Sequence, residues 1–281
     1  MVAAINKNLC RIVHAQPMVY QIQKWDPTSM DDHPRILLIG RSGSGKSTAL
    51  RDALSYLSDR TDLFLLFSPT TESINEFRKI APPSCVHPGG LNLELVSEAL
   101  RLNRELAERK KQREIMIVAD DVSYDKQLLK SPVMRDIAMN GRPAKCGLAM
   151  TLQYCMDLGP DLRTQFSYII CCADNIHANR KRIWNYFAGV VPTYREFDAI
   201  MQSCTQDHSC LVIDNSNPSA SVQNSIFHWK ARLHPPPYKL CKPVYWKLDS
   251  KRPPSKQASG VLVVDERSQP KMDRRSMQVV S

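Results

Sequence analysis

Residues 40–48 read Gly-Arg-Ser-Gly-Ser-Gly-Lys-Ser-Thr and follow directly on the apolar run Ile-Leu-Leu-Ile at 36–39. A helix-forming stretch, Ser-Thr-Ala-Leu-Arg-Asp-Ala-Leu at 47–54, comes next. This is the G-x-x-x-x-G-K-[ST] pattern in the strand-to-helix setting that phosphate binding requires. Glycines let successive backbone N–H groups converge on an anion, and the helix N-terminus adds a favourable dipole. The pattern assigns Gly40, Arg41, Ser42, Gly43, Ser44, Gly45, Lys46, Ser47 and Thr48 to a nucleotide, with Lys46 on the β- and γ-phosphates and Ser47 on Mg²⁺.

From Arg35 onward, short apolar runs alternate with amphipathic stretches. Strands are predicted at 36–39, 63–67, 115–119, 147–152, 167–172 and 209–214, the last of these closing the core. Helices are predicted near 47–58, 72–80, 132–140 and 179–187. Such alternation predicts an α/β fold with a mostly parallel central sheet and helices on both faces. Residues 93–111 form a covering helix that turns Leu93, Val96, Leu100 and Ala107 inward and its Glu and Arg residues to solvent. Pro17, Pro27 and Pro34 interrupt residues 1–34, which are expected to be an edge element or an arm reaching a neighbouring subunit. Residues 35–248 then form the nucleotide-binding domain. Residues 249–281 carry seven Lys/Arg against four Asp/Glu and one short apolar run, too little to offset chain entropy, so a flexible basic tail is expected.

With 281 residues, 43% apolar and 23% charged, the chain can bury a full-sized core. Its formal net charge is +10. The tail contributes three of those charges, and the basic excess on the remainder suits a polyanionic partner. The nine cysteines are odd in number and include no Cys-x-x-Cys pair, the usage of a reducing compartment with cysteine as a small core residue. Cys204, His208 and Cys210 lie close in sequence, but their spacing fits no common zinc module and a fourth ligand is not evident. Apolar runs fall well short of the ~20 residues needed to cross a bilayer, so a soluble protein without a membrane span is expected.

Phosphoryl transfer needs a second anchor for Mg²⁺, a carboxylate at the C-terminal end of a neighbouring buried strand. The run Ile-Met-Ile-Val-Ala-Asp-Asp at 115–121 supplies it. Asp120 is assigned to the metal and Asp121 to the attacking water. Gln153 ends the strand after that and is placed to sense the γ-phosphate or position water. Asn-Gly-Arg at 140–142 precedes this strand, and Pro-Asp-Leu-Arg at 160–163 follows it. Arginine supplied by a neighbouring subunit is worth roughly 10³ to 10⁵ in rate, or about 4 to 7 kcal/mol. Arg142 and Arg163 are both candidates for that role.

Loop, Asp-Asp strand, Asn-Gly-Arg, Thr-Leu-Gln and Leu-Gly-Pro-Asp-Leu-Arg, in this order over roughly residues 35–214, resemble the FtsK–HerA superfamily of translocating ATPases. The nearest branch is the genome-packaging ATPase of nucleocytoplasmic large DNA viruses, of poxvirus and iridovirus type. Tyr154 after Gln153 suits the viral branch, whereas Pro143 stands where the family usually has histidine. The resemblance implies a RecA/FtsK-like P-loop NTPase fold, with Gln153 as sensor and Arg142 as the trans-acting finger. It also implies ATP and Mg²⁺ as cofactors, and a homo-oligomeric ring that pumps double-stranded DNA into preformed capsids. Sequence-independent DNA binding, capsid or portal partners and a host-cytoplasmic assembly site follow from the same resemblance. Lys126, Lys130, Arg180, Lys181 and Arg182 are candidate phosphate contacts for DNA. A cellular DNA translocase or helicase remains the runner-up, and a small-molecule kinase or nucleotide switch would also use the loop. A guanine-reading Asn-Lys-x-Asp is absent.

Overall fold

The computed structural model describes residues 20–121, 127–217 and 221–251. The first strand after the N-terminal segment that carries the phosphate loop, β2 (Arg35–Ile39), is buried at all five positions. Its alternate residues enter two separate apolar layers, Leu37 and Ile39 on one face and Ile36 and Leu38 on the other. A strand covered on both sides has no need of polar alternation, which is why it reads as one apolar run.

Nine strands form a single sheet in the order β1-β9-β8-β7-β2-β6-β5-β3-β4. They are β1 (Gln23–Lys24), β2, β3 (Leu63–Ser68), β4 (Val86–Pro88), β5 (Ile115–Ala119), β6 (Cys146–Leu152), β7 (Tyr168–Cys171), β8 (Ser209–Asp214) and β9 (Ile226–Lys230). Pairing is parallel from β7 through β4, so the C-terminal ends of the central strands share one edge. β8 runs antiparallel to both β7 and β9. The fold is thus α/β with a mostly parallel sheet. Two strand expectations need correction: β8 does not close the sheet, because β9 pairs with it, and β5 is not the direct neighbour of β2, because β6 lies between them.

Helices α1 (Lys46–Ser55) and α2 (Thr71–Ile80) contribute to one apolar layer. On the other side lie α3 (Leu93–Glu108), α4 (Pro132–Asn140), the short α5 (Pro160–Arg163), α6 (His177–Phe187), α7 (Tyr194–Cys204) and α8 (Val222–Ser225). A last helix, α9, spans Pro243–Ser250. In α3, Val96 and Leu100 are buried as periodicity predicts, but Ala107 is exposed and Asn103 is buried in its place. The Asn103 amide donates to the carbonyls of Arg113 (2.9 Å) and Ala144 (2.7 Å) and accepts from the Arg113 N–H (2.8 Å). It caps the turn that returns the chain to β5, a task that apolar periodicity cannot signal.

No described helix is long and apolar enough to cross a membrane. Residues 252–281, which include nearly all of the expected tail, and Lys126 lie outside the described residues.

Candidate functional site

Between β2 and α1 the chain turns through the phosphate loop at the C-terminal edge of the sheet. Gly45 caps α1 at φ 93°, a left-handed conformation that other residues adopt only with strain. Gly40 is required by space. A Cβ there would stand 2.8 Å from the Cys172 Cβ and 2.5 Å from the Ser44 Oγ. Gly40→Ala is expected to cost about 1–3 kcal/mol of stability through overpacking and to weaken ATP binding, readable by thermal denaturation and nucleotide titration.

Lys46 is 9% exposed, and its ammonium donates to the Arg41 carbonyl at 2.8 Å, folded back across its own loop. Burial pushes its pKa down, while Cys172, Asp121 and Asp120 oppose that shift. A buried cation bonded to one carbonyl is poised to exchange that partner for an arriving phosphate. Arg41 itself is exposed and donates to the Asn175 Oδ1 at 2.7 Å.

Facing the loop, a cleft of about 390 Å³ is lined by Ser42, Gly43, Gly45, Lys46, Ser47 and Thr48 on one side and Asp120, Asp121, Thr151 and Gln153 on the other. Six of the nine loop residues that the sequence assigned therefore meet the metal and water candidates in one place, while Gly40, Arg41 and Ser44 do not line the cleft. β6 lies between the loop strand and the acid strand, so Thr151 and Gln153, on one face of that strand, fill the space between the two groups.

Asp120 is 5% exposed and held from both sides. Its Oδ1 accepts from the Thr151 hydroxyl (2.8 Å); its Oδ2 accepts from Ser73 (2.7 Å) and Ser68 (3.4 Å). Thr151 Oγ1 also accepts the Asp121 N–H at 2.7 Å. That bond anchors Asp121 in a left-handed conformation, φ 52°, and turns its side chain out of the strand. The Gln153 amide then donates to both Asp121 carboxylate oxygens at 3.3 and 3.4 Å. Carboxylate and hydroxyl oxygens are the hard donors that Mg²⁺ prefers, and Ser47 and Asp120 on opposite walls of one cleft fit that ion.

Sequence reasoning missed Thr151, Ser73 and Glu72, which line the cleft together with Thr70, Glu76, Phe77 and Arg51, and Ser68, which bonds to Asp120. Thr151 was legible in principle, as the residue two before Gln153 on a buried strand. Ser73 and Glu72 sit in the first turn of α2, beyond the C-terminal end of β3, and no motif marks them. Thr151→Val is expected to raise the Mg²⁺ concentration for half-maximal turnover by about 10- to 100-fold, with Thr151→Ser close to wild type, measured by metal titration of ATPase activity.

Arg142 stands elsewhere. It lies just before β6 and so at the opposite end of that strand from Gln153; seven strand residues at about 3.3 Å each separate the two ends by roughly 20 Å. Its guanidinium is 57% exposed, donates to the Ser167 hydroxyl at 2.9 Å and approaches Asp31 at 3.8 Å. The turn beneath it is held by a buried arginine. Arg35, 1% exposed, donates to the carbonyls of Ile137, Ala138 and Cys146 at the end of α4 and the start of β6. A Cβ on Gly141 would meet that guanidinium at 2.6 Å. Arg163 is engaged within its own chain, donating to the Leu158 carbonyl at 2.8 Å and lying 3.7 Å over the Tyr186 ring.

Among the basic candidates, Arg180 is corrected. It is 9% exposed and paired with Asp198 at 2.5 Å, with a further bond to the Asp174 carbonyl, so it joins α6 to α7 and is not offered to a polyanion. Lys130 and Lys181 are exposed and Arg182 is half-buried. No cluster of three His, Cys, Asp or Glu that could hold a metal occurs among the described residues. Cys210 faces Cys172 instead, sulfur to sulfur at 3.8 Å, beneath the phosphate loop.

The family model described as "Poxvirus A32 protein" matches residues 23–221. An uncharacterized protein of Acanthamoeba polyphaga mimivirus is 29% identical over 223 residues, covering 76% of this chain and 78% of the relative. Another of Invertebrate iridescent virus 3 is 28% identical, covering 70% of this chain and 75% of the relative. Among solved structures, the genome packaging NTPase B204 of Sulfolobus turreted icosahedral virus 2 shares the fold. Its sulfate complex has a TM-score of 0.54 at 18% identity, covering 72% of this chain and 98% of that one. Its complex with ATP-gammaS has a TM-score of 0.52.

Proposed function

The chain belongs to the poxvirus A32 protein family, a family of packaging ATPases, and from that premise we propose that it is an oligomeric motor that drives double-stranded DNA into a preformed capsid. Supporting this reading above all is the division of the catalytic groups between two ends of the sheet. Lys46, Ser47, Asp120, Asp121 and Gln153 line one cleft, while Arg142 is presented, exposed, at the far end of β6. Arg142 cannot serve its own cleft. In a ring it would serve the next one.

In this reading the loop N–H groups and Lys46 bind the triphosphate, and Lys46 exchanges the Arg41 carbonyl for phosphate oxygen. Asp121, held by Thr151 and Gln153, accepts a hydrogen bond from the attacking water and orients it in line with the γ-phosphate. Gln153 links that carboxylate to the cleft, so a change at the γ-position alters the hold on Asp121. Ser47 and Asp120 would hold Mg²⁺, which when bound neutralises charge on the phosphate oxygens. Arg142 of the neighbour adds the last positive charge. Arg163, committed to Leu158 and Tyr186, shapes the segment after Gln153.

Double-stranded DNA gripped by its backbone is the partner that the charge of the chain suits, with Lys130 and Lys181 the exposed candidates for phosphate contact. Capsid or portal components at a host-cytoplasmic assembly site complete the proposal. The reading is tested by ATPase assays across protein concentration, with and without duplex DNA. Turnover per subunit should rise with both, independently of DNA sequence, and the DNA stimulation should fall steeply with salt. Concentration-independent turnover directed to a small acceptor would contradict it.

A further inference from the structure

Beneath the phosphate loop lies a pair of thiols for which phosphoryl transfer has no use. β7 and β8 run antiparallel with Cys171 opposite Leu211, and one further step in that register sets Cys172 opposite Cys210. Residues directly opposed in an antiparallel pair have Cα atoms roughly 4.5–5.5 Å apart, within the span of a disulfide. The two sulfurs are 3.8 Å apart, and the residues are 1% and 3% exposed.

The two thiols are unequal. A hydrogen bond from Cys210 holds the Cys172 thiol below the ordinary cysteine range in spite of burial, and Ser44 and Lys46 of the loop add to that effect. The same contact, together with burial, pushes the Cys210 thiol up. Cys172 is therefore the nucleophile of the pair, and Cys210 is the thiol that would resolve it. Space between Cys172 and the loop is already filled, since a Cβ on Gly40 would stand 2.8 Å from the Cys172 Cβ. An oxygen added to the Cys172 sulfur, or that sulfur drawn toward Cys210 until about 2.0 Å separates the two, changes what Gly40, Ser44 and Lys46 rest on. The cover over Cys172 is the loop, whose Ser42, Gly43 and Gly45 are exposed. Opening of the loop admits a small oxidant to the sulfur, and a bound nucleotide holds the loop shut.

We propose that Cys172 and Cys210 form a reversible thiol-oxidation site, at which a hydroperoxide converts the pair to a disulfide and weakens ATP binding by the loop above. The Cys172 thiolate attacks hydrogen peroxide, the O–O bond breaks, and Cys172 becomes a sulfenic acid while the departing hydroxide takes up the proton that Cys172 had released. The Cys210 sulfur then attacks the Cys172 sulfur, the S–O bond breaks, and the second hydroxide leaves with the Cys210 proton. Two thiols are oxidised to one disulfide, and one peroxide is reduced to two waters. The effect on ATP rests on the phosphate cleft being the ATP site, whereas the disulfide does not, and the two are read separately. In the full chain treated with hydrogen peroxide, peptide mapping is expected to find Cys172 linked to Cys210, with ATP affinity lowered about tenfold and restored by dithiothreitol. Mg²⁺ and ATP present during the treatment should slow formation of the link. Cys172→Ser should show the same ATP affinity before and after treatment. Cys210→Ser should bind ATP as wild type beforehand and then lose affinity in a way that dithiothreitol does not reverse, because Cys172 oxidises further with no thiol to resolve it. Cys85→Ser, which removes the Cys85–Cys241 contact beside β3, should respond as wild type. Absence of the 172–210 link would overturn the assignment, and so would a link that leaves ATP affinity unchanged in a chain whose Lys46→Ala variant loses ATP. Undiminished ATP binding by Lys46→Ala would instead fault the phosphate cleft, whatever the state of the thiols.

Discussion

Lys46→Ala is expected to reduce ATP turnover by about 10² to 10³-fold or more, equivalent to roughly 3–4 kcal/mol of lost transition-state stabilisation, while the chain remains folded. The folded state gains little from this side chain. Burial disfavours its charge, and its one hydrogen bond is to the Arg41 carbonyl in the loop. Removing it relieves a desolvation cost and frees one carbonyl at a cleft that water can enter, so the melting temperature should shift by only a few degrees. Steady-state kinetics with circular dichroism checks both halves of the statement. A variant that unfolds would mean that Lys46 is structural, and a variant that turns over normally would mean that the loop is not the catalytic phosphate site.

Arg142→Ala carries the second large effect, about 10³ to 10⁵ in turnover at protein concentrations where wild type is assembled. Arg142 and Lys46 stand at opposite ends of the central strands, some 20 Å apart by strand length, so the arginine cannot act in its own cleft. It is nonetheless on a well-built platform, because Arg35 caps α4 and fixes the Gly141 turn from below. ATP affinity of the isolated subunit should be unchanged, and only assembled turnover should fall. Arg163→Ala, by contrast, is expected to lower turnover less than about tenfold, since its guanidinium is spent on Leu158 and Tyr186. If the two variants exchange these behaviours, Arg163 is the finger.

The phosphate loop was legible because three constraints coincide in nine residues: a glycine where Cys172 approaches, a glycine at positive φ, and a lysine at a helix N-terminus. Asp120 and Asp121 were legible from a buried strand that ends in two acids. What that reading lacked is Thr151, whose Oγ1 bonds to both residues at once from a neighbouring strand. The order of strands was out of reach for a similar reason. Nothing in the run at 146–152 says that it inserts between the loop strand and the acid strand, although that insertion is what brings Gln153 to Asp121. The edge strands β1 and β4, of two and three residues, are too short for periodicity to register. Arg180 misled because a basic run on a helix is read one-dimensionally, whereas Asp198 approaches it from α7. Asn103 misled in the opposite sense, a polar residue on a helix face that serves as a backbone cap.

The central claim is that each ATP site is completed by the next subunit. The most direct measurement mixes Lys46→Ala and Arg142→Ala, each inactive alone, in equal amounts under assembling conditions. Half of the subunits retain Lys46 and half of their neighbours retain Arg142, so activity should return to about a quarter of the wild-type rate. Mixtures that stay as inactive as either variant alone, while assembling normally, would contradict the account.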